Sequence, residues 1–194
     1  MKRRAFITSL GSAAAASIIG PFGLRAQQPA VPVIGFLSPH ANSVAYVQGF
    51  PAGLRELGYV EGSKIRIEFR WARGRFEQLA EFAAELVRLK VDVLVASLTQ
   101  ASLVAKQATA TIPIVMIGVA DPVAVGLIAS LARPGGNITG TSGVATDIVG
   151  KQLELLKEVV PGVSRVAVLW NPANAAFQAL QLGQAEIAAR TAGL

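Results

Sequence analysis

The 194-residue chain has no cysteine and one histidine, His40. Disulfides, thiolate nucleophiles and cysteine-held metals are therefore excluded, and so is a multi-histidine metal centre within the chain. Charge is also sparse. Charged residues make up 15% and hydrophobic residues 52%, a balance that excludes disorder and calls for heavily buried strands and helices. The isoelectric point near 10.2 suggests a nucleic-acid binder. However, Lys2, Arg3, Arg4 and Arg25 all lie in the first 26 positions, leaving 14 basic against 12 acidic residues in the remainder. A body that close to neutral carries no electrostatic footprint for DNA or RNA, so no nucleic-acid partner is expected. After position 26 no apolar run is long and continuous enough to span a bilayer, and the mature chain is expected to be soluble.

The first 26 residues have the layout of an export signal. A basic start (Met1 to Arg4) precedes a mildly apolar stretch from Ala5 to Gly23 and a small-residue site at Leu24-Arg25-Ala26. Thr8, Ser9, Gly11, Ser12 and Ser17 make this stretch a poor membrane anchor. Arg3-Arg4-Ala5-Phe6-Ile7 resembles the twin-arginine export motif. Residues 1–26 are thus expected to be removed, placing the mature protein in the periplasm.

From Val33 onward strand-like and helix-like segments alternate. Apolar runs predict strands at Val33–Leu37, Ile65–Trp71, Val91–Ala96, Ile112–Ile117, Asn137–Thr141 and Val166–Trp170. The second strand alternates apolar and polar residues, as an edge-proximal strand does, whereas the third and fourth read as central strands buried on both faces. Helical spacing places helices at Val44–Leu57, Phe76–Val87, Gln100–Ala110, Val123–Leu131, Asp147–Val160 and Asn174–Ala192. Six βα units without a hairpin signal predict an α/β fold with a doubly wound parallel sheet. The joint at Gly143 to Asp147 suggests a boundary, with one lobe over residues 27–146 and the start of a second over 147–194.

In such a sheet the ligand lies beyond the carboxyl ends of the strands. Three of those ends read Ser38-Pro39, Asp121-Pro122 and Asn171-Pro172, and a fourth reads Ser97-Leu98-Thr99-Gln100. Each joins a capping or amide side chain to the start of a helix or rigid loop, which serves helix capping as readily as ligand binding. Helix N-termini favour an anionic group, and Asp121 could hold an ammonium, so a small zwitterion would suit both. No nucleophile elbow, P-loop, metal-binding helix or dinucleotide fingerprint is present. His40 reads as a solvated loop residue, Trp71 and Trp170 as packing residues, and Arg66, Arg70, Arg73 and Arg75 as a solvated strand face and loop.

The stretches Gly53-Leu54-Arg55-Glu56-Leu57-Gly58-Tyr59-Val60-Glu61-Gly62, Ala84-Glu85-Leu86-Val87-Arg88-Leu89-Lys90-Val91-Asp92-Val93 and Ser130-Leu131-Ala132-Arg133-Pro134-Gly135-Gly136-Asn137-Ile138-Thr139-Gly140 resemble the substrate-binding family of ABC transporters, of the tryptophan/tyrosine-binding type. Leu153-Glu154-Leu155-Leu156-Lys157 and Val166-Ala167-Val168-Leu169-Trp170-Asn171-Pro172 are similar to that family's crossover helix and first strand of the second lobe. The resemblance implies a type I periplasmic-binding fold, in which two α/β lobes close on a ligand. It further implies a small-molecule ligand, an inner-membrane ABC permease as partner, no cofactor and no catalysis. The pocket positions would be Ser38, Thr99, Gln100, Asp121, Thr141 and Asn171. Since the family's second lobe runs on for several more βα units, the chain is expected to be a C-terminally truncated form. An exported α/β enzyme or a ligand-sensing module on the same scaffold is the alternative.

Overall fold

The computed structural model describes residues 31–41, 45–143, 148–172 and 175–194. The expected export signal, most of the Gly143–Asp147 joint, and the first residues expected for two helices (Val44 and Asn174) lie outside these. The described elements are β1 (Val33–Ser38), α1 (Ala45–Glu56), β2 (Arg66–Trp71), α2 (Leu79–Arg88), β3 (Val93–Ser97), α3 (Leu98–Ala108), β4 (Ile114–Val119), β5 (Ile138–Ser142), α4 (Val149–Val159) and α5 (Ala175–Ala192). A single 3₁₀ turn, Phe76–Gln78, leads into α2.

The five strands form one parallel sheet in the order β2-β1-β3-β4-β5. Each strand alternates its side chains between two faces, and helices cover both. On one face Leu37, Leu94, Ala96, Ile114 and Met116 pack against Leu79, Ala83 and Leu86 of α2 and Ala101 and Ala105 of α3. On the other, Phe36, Ile67 and Val95 pack beneath Phe50 and Leu54 of α1. Helices on both sides make the sheet doubly wound, as expected. The central strand β3 has Leu94 through Ser97 all buried. The alternating strand β2 does lie at an edge.

The aromatic residues gather at that edge. Phe36 has its ring centre 5.1 Å from Phe50 and 5.5 Å from both Phe69 and Trp71. Phe69 and Trp71, two residues apart on β2, stack at 4.9 Å. Arg66 and Arg70 stay on the solvated part of the strand. Arg70 pairs with Glu85 at 2.7 Å and Arg66 with Glu68 at 3.2 Å, so these two arginines of the basic cluster are charge-paired.

Two expected elements do not form. The segment Val123–Leu131 is a series of turns, not a helix. Asp121 Oδ1 accepts the amide of Ala124 at 2.9 Å, as a helix cap would. Gly126 then takes φ +70°, and a left-handed residue stops the capped turn from continuing as a helix. The expected sixth strand, Val166–Trp170, has no ladder partner and remains outside any strand. Its side chains stay largely exposed, Leu169 completely so. The sequence has the β-propensity, but a strand exists only by pairing, and this segment pairs with no strand among the described residues. It runs beside α4 and α5, and together they line an apolar groove of about 430 Å³ that includes Leu153, Leu156, Val168, Trp170 and Leu182. No helix among the described residues is long and apolar enough to cross a membrane.

Candidate functional site

Strand order reverses direction between β1 and β3, since the chain winds outward to β2 on one side and to β4 and β5 on the other. The helices following β1 and β3 therefore leave on opposite faces, opening a crevice beyond the carboxyl ends of these two strands. Ser38 ends β1 and Ser97 ends β3. Both are fully buried. Ser97 donates its hydroxyl to Ser38 Oγ at 3.2 Å, and Ser38 Oγ also accepts the amide of His40 at 3.2 Å. The two hydroxyls thus tie the strand ends together and fix the floor of the crevice.

Thr99 and Gln100 follow in the first turn of α3. Thr99 is buried, and the buried Nε2 of Gln100 has no hydrogen-bond partner among the described residues. A buried donor without a partner costs about 1–3 kcal/mol, a penalty that a ligand acceptor would remove. The turn that delivers these residues is strained. Leu98 has φ +67°, a left-handed conformation costing a non-glycine residue about 1–2 kcal/mol.

Asp121 lies two residues beyond β4 and is partly exposed, with Oδ1 engaged by the Ala124 amide. Thr141, near the end of β5, is exposed, and its Oγ1 accepts the amide of Gly118 at 3.4 Å. Five of the six expected residues, Ser38, Thr99, Gln100, Asp121 and Thr141, are therefore arrayed along one end of the sheet. Asn171 is not brought there by strand topology, because the segment before it forms no strand; it is exposed and stands beyond Trp170. His40 is exposed, and its ring meets Phe76 edge-on with centres 6.5 Å apart. The sequence reading placed Ser97 and Leu98 in a strand-end stretch but counted neither among the pocket positions, and it did not mention Gly118. A hydroxyl at a strand end was a visible signal for the first; nothing in the sequence marked the φ of the second.

Among the described residues no three or more acidic or histidine side chains come together as a metal site. The crevice offers buried hydroxyls, an amide donor, a carboxylate and the start of a helix. That set can hold a small polar molecule by hydrogen bonds. Replacing Ser97 with alanine removes the buried hydroxyl contact between the strand ends and should cost about 1 kcal/mol in chemical denaturation. An unchanged denaturation midpoint would show that the contact contributes nothing.

Comparisons with known proteins agree with this fold. The family described as ABC transporter substrate binding protein matches residues 30–191. A tyrosine-binding protein of Clostridioides difficile (strain R20291) is 37% identical over 138 residues, covering 71% of this chain and 39% of the relative. A conserved domain protein from Vibrio cholerae O1 biovar El Tor superimposes with a TM-score of 0.72 at 32% identity, over 84% of this chain and 54% of that one. The ABC domain in complex with L-Trp from Streptococcus pneumonia gives a TM-score of 0.69 at 28% identity, with the same coverage. The chain thus spans about half, or less, of the length of these relatives.

Proposed function

As the chain belongs to the ABC transporter substrate-binding protein family, we propose that it captures a small zwitterionic solute, an amino acid or close relative, for an importer of that class. The unpartnered amide of Gln100 carries this reading. It belongs to the first turn of α3, three residues after Ser97, on the strand end where the sheet order reverses, and it calls for an acceptor such as a ligand carboxylate. Asp121 is the matching acceptor for the ligand ammonium. Relatives named for tyrosine and crystallised with L-Trp support an aromatic amino acid as the solute. Binding needs no chemistry, only a liganded state more stable than the empty one.

In the same reading residues 1–26 direct export by the twin-arginine route and are then removed, leaving a periplasmic protein. Residues 27–146 form one wall of an interlobe cleft, and residues 147–194 begin the other. Delivery is to an ABC permease in the inner membrane. The substrate-binding family is one of binders, not of enzymes, so ligand should be returned unchanged.

The test is calorimetric titration of the full-length protein, as its host makes it, with L-tryptophan and L-tyrosine. Saturable binding is expected, with a gain of about 2.7 kcal/mol in stability at a ligand concentration a hundred times Kd. Asp121→Ala should weaken binding by about tenfold or more through loss of a charge-assisted hydrogen bond. Absence of binding to either amino acid, or consumption of the ligand, would overturn the proposal.

A further inference from the structure

Three non-glycine residues among those described adopt a left-handed backbone: Arg73, Lys90 and Leu98. Arg73 and Lys90 are exposed residues in turns, with Lys90 directly beyond the end of α2. Leu98 differs from both. It is partly buried, apolar, and placed where β3 turns into α3, directly after Ser97.

Its side chain does not account for the strain by filling the core. Leu98 belongs to neither of the two apolar clusters that hold the sheet to its helices. Instead it reaches sideways toward the end of the next strand. A β-carbon on Gly118 would stand 3.5 Å from Leu98 Cδ2, and Gly118 is itself left-handed at φ +66°. The leucine therefore reaches from the end of β3 to the end of β4, following Ser97 in the chain and preceding Gln100 by two residues. Glycine would adopt this backbone without penalty. The chain instead carries an isobutyl group there at a conformational cost, and strain of that kind at a binding crevice points to a use for the side chain.

We propose that Leu98 is the specificity-determining residue of this wall. It forms an apolar surface beside the polar floor and so selects zwitterions that carry a large apolar side chain. The inference rests on the binding reading above and adds to it the residue that sets ligand preference. The polar groups hold the ammonium and carboxylate shared by all amino acids, and Leu98, beside Gly118 at the β4 end, discriminates among side chains on this wall.

The experiment compares full-length wild type with Leu98→Gly, Leu98→Ala and Leu98→Met, titrated with L-tryptophan and L-tyrosine, alongside thermal melts without ligand. Leu98→Gly should melt at or above the wild-type temperature, because the strain is relieved, yet bind the aromatic amino acids about tenfold or more weakly. Leu98→Ala should lose affinity similarly, and Leu98→Met should stay within about twofold of wild type, since it restores a long apolar side chain. Glycine and alanine variants that bind as tightly as wild type would overturn the role of Leu98 and leave the binding reading standing. A wild-type protein that binds neither amino acid would overturn both. A glycine variant that melts lower and loses affinity in proportion to its unfolded fraction would assign Leu98 to folding and likewise overturn the proposal.

Discussion

A Gly140→Ala protein is expected to lose about 3–5 kcal/mol of stability, the range reserved for substitutions with a definite steric cause. Gly140 lies on β5 opposite Met116 of β4, at the point where the register between the two strands shifts. A β-carbon there would sit 2.0 Å from the Met116 carbonyl oxygen, 2.7 Å from its nitrogen and 2.8 Å from its carbonyl carbon. All three are backbone atoms, so no side chain can turn aside to make room. The backbone at φ +142° adds a conformational penalty of its own. Relief requires β5 to separate from β4, which would break the ladder that ends at Ser142 and carries Thr141. Urea denaturation monitored by far-ultraviolet circular dichroism measures the loss. Gly135→Ala is the control, because Gly135 is also left-handed at φ +71° but has nothing within 4 Å of an added β-carbon. It should cost only the conformational share, about 1–2 kcal/mol. Equal losses for the two variants would refute the close approach of the strands.

Phe36→Ala should cost about 3–5 kcal/mol as well, by a different route. Phe36 is fully buried on β1, and its ring touches the aromatic rings of an adjacent helix and an adjacent strand at once. Removing it leaves a cavity that Phe50, Phe69 and Trp71 cannot fill without breaking their mutual packing, and it loosens α1 and β2 together. Trp71 reports the change. Near-ultraviolet circular dichroism of the variant should lose the signal of its stacked pair with Phe69, while Phe36→Leu should retain most of it. Coupling between Phe36 and Trp71 in a double-mutant cycle is expected at about 0.5–1.5 kcal/mol. A variant as stable as wild type, with an unchanged near-ultraviolet spectrum, would show that the cluster is not packed as described.

Local pattern predicted each element that local pattern can determine. The alternation of Ile65, Ile67, Phe69 and Trp71 marked an edge strand, and the β-branched runs at β3 and β4 marked buried ones. The failures came where a neighbour decides. Val166–Trp170 reads as a strand in its own residues, yet hydrogen bonding is a property of pairs. Val123–Leu131 carries helical spacing and a real cap at Asp121, but Gly126 has no side chain to keep it right-handed, and the turns that follow leave Leu127 and Ile128 buried. At the candidate site the strand-end positions were legible because a parallel α/β sheet puts its loops there. The pairing of Ser38 with Ser97 was not, because the two residues lie 59 positions apart and meet only through sheet order. Leu98 was hidden for a simpler reason: sequence gives the side chain, and its significance lies in the backbone angle.

The sheet's all-parallel order also constrains how the protein reaches its native state. Val33 must find Arg66, and Ile34 must find Val93, before either interior pairing of β1 exists. Among the described residues no hairpin is available as a local nucleus, so each of these contacts closes a long loop before gaining anything from packing. Folding should therefore be slow for a domain of this size, with β1 the strand that waits longest for both its partners. Through that interval the apolar runs of β3 and β4 are open to other chains, and exposure in time, more than exposure in the finished structure, sets their risk of intermolecular pairing.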